Sequence, residues 1–125
     1  MRTKIVAGNW KMNNTKKESK QLIKDLEKSI KKEKLENTRV IVSPTFVNLS
    51  SSIKAAKYSK IEVVAQNMHE AKNGAYTGEI SADMLKAIGI KTVILGHSER
   101  RTYFNETDES LAKKVDAILE NELEK

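Results

Sequence analysis

Four short apolar runs constrain this chain more than any other feature: "KIVAG" (4–8), "VIVS" (40–43), "EVVAQ" (62–66) and "TVILG" (92–96). Each is rich in β-branched residues and lacks strict polar alternation, which is how strands read when both faces of a parallel sheet are covered. Parallel strands need long crossovers, and the intervals between these runs carry helical signals. Thr15, with Glu18 three residues on, is a capping-box pattern that opens a helix to about Lys32. A second helix is predicted within 47–59, a third within 81–89 between a Ser81 cap and a Gly89 stop, and a fourth from about Thr107 to Glu122. The order βαβαβαβα predicts an α/β fold of four parallel strands alternating with helices, joined by right-handed crossovers.

Composition narrows the class. The chain has 125 residues, 32% charged and 38% hydrophobic, which suits one small domain over residues 1–125. It has no cysteine, so neither a disulfide framework nor a thiolate ligand or nucleophile is on offer. The opening "MRTKIVAGNWKM" holds only a four-residue apolar run, too short for a signal peptide, and no segment approaches the roughly 18 apolar residues of a membrane span. A cytoplasmic protein without a membrane partner is the expectation. The net charge of +6 is uneven: 15 Lys/Arg stand against 5 Asp/Glu up to Lys60, and 8 against 12 beyond it. In "KKESKQLIKDLEKSIKKEK" the residues Leu22, Ile23, Leu26 and Ile30 share one helical stripe and the lysines surround the rest. No aromatic residue interleaves with those lysines, so a solvated amphipathic face is expected rather than a nucleic-acid patch.

Unusual residues collect just past the ends of the predicted strands, in "GNWKMN", "SPTF", "QNMHEAKNGAYTGEI" and "GHSERR". That is the ligand end of α/β proteins. A glycine precedes the polar residue in both "GNWK" and "GHSE", consistent with a tight turn that lets something approach closely. Lys11 is either a fixed cation for an anionic substrate or an ordinary surface lysine, and Asn9 either orients Lys11 or caps the turn. His97 follows strand and glycine directly and opens what reads as a short helix. There an imidazole feels the positive end of the helix, tends to stay neutral, and can donate a hydrogen bond to a carbonyl oxygen. The other reading is a histidine satisfied by a neighbouring carboxylate. Glu99 reads as an ion-pair partner for Arg100 or Arg101 in preference to an acid–base group, and His69 as an ordinary loop residue. No cluster has metal-site spacing, and there is no Gly-rich phosphate loop of the Walker type.

Taken in order, "AGNWKMN", "AQNMHEAKNGAYTGEISADMLKAIG", "VILGHSERR" and "FNETDE" resemble triosephosphate isomerase from Lys4 to about Glu122. The resemblance implies a (β/α)8 barrel that interconverts dihydroxyacetone phosphate and glyceraldehyde 3-phosphate in glycolysis and gluconeogenesis, without cofactor or metal, as a cytoplasmic dimer. Asn9 and Lys11 resemble that family's substrate-binding pair. His97 resembles the electrophile that polarises the carbonyl and shuttles protons between the substrate oxygens, and Glu99 a supporting polar residue beside it. Thr77 resembles the tip of a loop that reaches into the partner subunit and supports its lysine and histidine.

The chain also departs from the family. Members run to about twice this length, so these residues correspond to half of a TIM barrel, the first four strand–helix units. The family's glutamate base and phosphate-binding amides lie in the later units, and no glutamate here matches the base. Glu122 stands where the family commonly has glycine and is expected to lengthen the last helix. Two functional classes follow: an isomerase polypeptide, natural or engineered, active only with a complementary second half, and a natural or engineered half-barrel with a structural or folding role only; a homodimer or a complementary second half is the expected partner. An anion- or nucleic-acid-binding module using the basic helix is a distant third.

Overall fold

The computed structural model describes residues 2–125, which form two compact units, one running to Val64 and one from Ala65 to Lys125. The first contains strand β1 (Lys4–Asn9), helix α1 (Lys16–Glu33), strand β2 (Thr38–Ser43), a 3-10 turn over Phe46–Asn48, helix α2 (Leu49–Ala55) and strand β3 (Ile61–Val63). The strands form a parallel sheet in the order β1-β2-β3, with Lys4 opposite Thr38 through Asn9 opposite Ser43, and Val40 opposite Ile61.

Local sequence explains why these elements start where they do. At the head of α1 the Glu18 amide donates to Thr15 Oγ1 at 3.3 Å and the Thr15 amide to Glu18 Oε1 at 2.9 Å, so the expected capping box is formed. These hydrogen bonds hold the Glu18 carboxyl below its ordinary range. At the other end Lys34 takes a left-handed conformation, φ 46°, and stops the helix. The predicted apolar stripe meets the sheet: Ile23 is fully buried with Val40, Val42, Ala56 and Ile61, and Trp10, Leu26, Ile30 and Leu35 pack around them. Strand β1 is less covered, with Ile5 and Val6 57% and 60% exposed at the sheet's edge.

In the second unit the expected fourth strand does not join a ladder. The run 92–96 makes only isolated parallel bridges, the first with Ala65 opposite Val93, closed by Ala65 N–H to the Thr92 carbonyl at 3.1 Å and Ile94 N–H to the Ala65 carbonyl at 2.8 Å. The sheet therefore holds three strands. The third run divides, with 61–63 pairing to β2 and Ala65 to Val93, and neither part is long enough to carry a second ladder. Thr92 forms a further parallel bridge with Glu124, where Val93 N–H reaches the Glu124 carbonyl at 2.9 Å.

Helices α3 (Ala82–Ala87), α4 (Ser98–Tyr103) and α5 (Asp108–Glu120) complete this unit. Ser81 Oγ caps α3 by accepting from the Met84 amide, and Thr107 and Ser110 exchange side-chain and backbone hydrogen bonds at the head of α5. Two helices end in the same motif. After α3, Gly89 N–H reaches the Lys86 carbonyl and Ile90 N–H the Leu85 carbonyl. After α5, Glu122 N–H reaches the Leu119 carbonyl and Leu123 N–H the Ile118 carbonyl. The residue at the turn is left-handed in both, Gly89 at φ 97° and Glu122 at φ 56°. Glu122 thus does not lengthen the helix as expected; it takes the glycine conformation, because both carbonyls and the following backbone bridge are satisfied only by that turn.

Candidate functional site

The site residues divide between the two units. In the first, Asn9 is the last residue of β1, and the next amide, Trp10 N–H, still reaches the Ser43 carbonyl at 3.1 Å. The chain then breaks away. Asn9 Oδ1 accepts from Lys11 N–H at 2.9 Å, and Lys11 sits at φ 52° with its side chain exposed. A lysine in the left-handed region costs about 1–2 kcal/mol, so the Asn9 hydrogen bond holds a conformation the backbone would not choose. Asn13 Nδ2 donates to the Trp10 carbonyl at 2.8 Å and closes the turn further. Gly8 does not have the role expected of it: a Cβ there would meet Trp10 Nε1 at an ordinary 3.5 Å.

In the second unit glycine is required. Gly96 adopts φ 74°, and a Cβ there would press to 3.3 Å against Leu111. This turn delivers His97 to the N-cap of α4, where its Nδ1 accepts from Glu99 N–H at 3.1 Å. In a neutral ring this acceptor role puts the proton on Nε2, because a nitrogen that receives a proton donor carries none itself. The ring therefore offers Nε2–H as a hydrogen-bond donor. Glu99 Oε2 lies 3.8 Å from the same Nδ1.

The arginines after Glu99 are engaged elsewhere, contrary to the expectation of an ion pair with it. Arg101 Nη1 donates to Asp108 at 2.8 Å and its Nε to the Gly96 carbonyl at 3.3 Å, tying the turn before His97 to the head of α5. Arg100 Nε donates to Glu106 Oε2 at 3.0 Å, which also receives Lys114 Nζ at 2.7 Å; Lys114 in turn reaches Asn67 Oδ1 at 2.9 Å. The Glu106 and Lys114 side chains are only 2% and 8% exposed. Burial pushes the Glu106 carboxyl up, but the hydrogen bonds and charges of Lys114 and Arg100 outweigh it and hold the group below its ordinary range. Sequence reasoning missed this network. Its signal was Lys114 itself, three residues after Leu111 and four before Ile118 on the buried stripe of α5, where a lysine needs a buried partner.

His69 is more than a loop residue. Its Nδ1 accepts from Ala71 N–H at 3.0 Å and its ring lies 4.3 Å from that of Tyr76, which orders the loop before α3. Thr77 is exposed in the turn that Glu79 N–H closes on the Tyr76 carbonyl, followed by Gly78 at φ 94°. Among the described residues no group of three or more acidic, histidine or cysteine side chains is arranged to hold a metal ion, and no helix is long and apolar enough to cross a membrane.

A sequence model of the family described as triosephosphate isomerase matches residues 4–125. The triosephosphate isomerase of Flavobacterium psychrophilum is 54% identical over 123 residues, which cover 98% of this chain and 48% of that protein. Its counterpart in Clostridium botulinum is 53% identical over the same shares, and that of Clostridium acetobutylicum 55% identical over 119 residues, 95% of this chain and 47% of the relative. The chain spans about half the length of the curated relatives it matches, and within that span it belongs to the triosephosphate isomerase family.

Proposed function

We propose that this chain supplies the electrophilic and cation-bearing half of a triose phosphate isomerisation site. The observation that carries the reading is the hydrogen bond from Glu99 N–H to His97 Nδ1, which leaves Nε2–H as a donor. A neutral imidazole donating to the carbonyl oxygen of dihydroxyacetone phosphate stabilises negative charge as a proton leaves the adjacent carbon. The same nitrogen then gives its proton to one substrate oxygen and recovers one from the other, so no cofactor is consumed. Lys11 provides positive charge for the phosphorylated substrate, Asn9 holds the Lys11 backbone in its strained turn, and Glu99 supports the imidazole through its amide. The carboxylate base and the phosphate-binding amides come from a complementary half. In this reading residues 1–125 are the N-terminal half of one (β/α)8 domain, with 92–96 its fourth strand.

Half of a barrel needs a partner surface. The exposed Ile5 and Val6 on edge strand β1 support association, with a second copy or with the complementary half; in this reading Thr77 belongs to a loop that reaches into a partner subunit. The test is complementation. Residues 1–125 alone should show no turnover of glyceraldehyde 3-phosphate; mixed with the remaining half of the Flavobacterium psychrophilum relative, they should. Sedimentation velocity should resolve a species heavier than the 14.1 kDa chain in both cases. His97→Gln lowers the kcat of the mixture by about 10²–10⁴. A His97→Gln mixture as active as the parent would sink the assignment.

A further inference from the structure

Helix α1 carries a charge distribution that its own stability does not call for. At 100° per residue, Lys16, Lys20, Lys31, Lys24, Lys17 and Lys28 fall within an arc of about 120°. All six are exposed. The one other position in that arc is Glu27, paired with Lys31 at 3.3 Å. Lys16, Lys20, Lys24 and Lys28 succeed one another at i,i+4, the spacing at which like charges work against a helix. The stripe that flanks the arc on the Lys16 side is used up, since Ile23 is fully buried and Leu26 and Ile30 pack against the sheet's core. The row of lysines thus forms a rod of point charges about 6 Å apart along the helix axis.

We propose that this face docks on the phosphate backbone of a nucleic-acid duplex without reading its sequence. The composition of the face selects among anionic partners. A peripheral membrane helix sinks an apolar face into the bilayer, and the apolar face of α1 already lies in the protein core. Protein interfaces deplete lysine and bury aromatic anchors, and the arc holds neither an aromatic nor an aliphatic side chain. Single strands are gripped by stacking on aromatic rings, which are equally absent here. What remains is a dense line of negative charge, and a duplex presents one charge per about 1.7 Å of its axis. Sequence alone favoured a merely solvated face. The structure adds that the six lysines are all exposed on a helix anchored by the stripe beside them, with a single carboxylate among them.

Fluorescence anisotropy of a labelled 20-base-pair DNA duplex, and of an RNA duplex of the same sequence, titrated with the full 125-residue chain tests this. Four phosphate contacts give a slope of about −3.6 in log K against log salt, so binding weakens about 150-fold between 50 and 200 mM KCl. Glutamine is a good helix former, and Lys20→Gln/Lys24→Gln/Lys28→Gln should weaken binding at least ~10-fold at 50 mM while flattening the slope toward about −1. The salt slope of the parent chain stands as a test even if the variant loses structure. No binding at 50 mM KCl, a slope near zero, or a folded triple variant that binds as tightly as the parent overturns the proposal. So does capture by phosphatidylserine vesicles in preference to either duplex, which would make the face a membrane contact.

Discussion

The two units reach order by different means. Up to Val64, a three-stranded ladder and the 18-residue α1 enclose an apolar cluster around Ile23. From Ala65 onward there are isolated bridges, short capped helices and a buried ion network centred on Glu106. The first arrangement rests on the area removed from water, which is non-directional and indifferent to pH. The second buries Met68, Leu85, Ile90, Val93 and Ile118 as well, and adds to them charges that are held only while every partner is present. The difference teaches that one short chain can hold Asn9 and Lys11 at the end of a sheet by one means and His97 and Glu99 at a turn tied by ions by another.

The sharpest break in this contrast is Glu106→Ala. It leaves Lys114 nearly buried without its carboxylate and frees Arg100, and removing one partner of a buried pair costs about 3–5 kcal/mol. Hydrogen exchange should show protection lost across α4 and α5 while the fluorescence of Trp10, the chain's one tryptophan, changes little. Equal loss in both units would show the contrast to be false.

Ile23→Ala probes the other side. Deleting a fully buried isoleucine costs about 2–5 kcal/mol through lost burial and the cavity left behind. Denaturant unfolding followed by Trp10 fluorescence should record the loss in the first unit, with no change in its pH dependence.

Acid separates the units further. The folded Glu106 carboxyl titrates below its ordinary value, so its contribution is complete above pH 4.5 and is lost as pH falls through the lower folded value. Glu18 shifts in the same direction but is exposed in a capping box, where solvent screens the effect. Exchange protection in α5 should therefore fall before that in α1 on acidification, and Glu106→Gln should remove the difference. If α1 opens first, the ion network is not what holds the second unit.

The smallest effect compares the two matching helix ends. Gly89→Ala forces a side chain into a left-handed turn and costs about 1 kcal/mol, whereas Glu122→Gly relieves the same strain and stabilises by about 0.5–1 kcal/mol. Thermal melts of both variants check the signs. A destabilising Glu122→Gly would mean that the glutamate side chain contributes more than its backbone strain costs.

Much of this molecule could be read from local chemistry. The Thr15–Glu18 box, the Ser81 cap, the Gly89 stop and the first three strands involve residues within a few positions of one another, so the chain need not be folded for their preferences to show. The triosephosphate isomerase resemblance was legible for the same reason, as four contiguous motifs in order. Three features were not. That the fourth run makes only isolated bridges, at Thr92 and Val93, depends on where Glu124 and Ala65 arrive from distant parts of the chain. That Lys114 is buried depends on Glu106 and on Asn67, 47 residues away. That Arg100 and Arg101 leave Glu99 for Glu106 and Asp108 depends on how the turn after α4 closes. Sequence by itself determined where helices begin and which faces are apolar, because capping and burial preferences are properties of short segments. Only tertiary structure decided which charges meet and which strands pair, because those choices compare partners far apart in sequence whose separation is set by the whole fold.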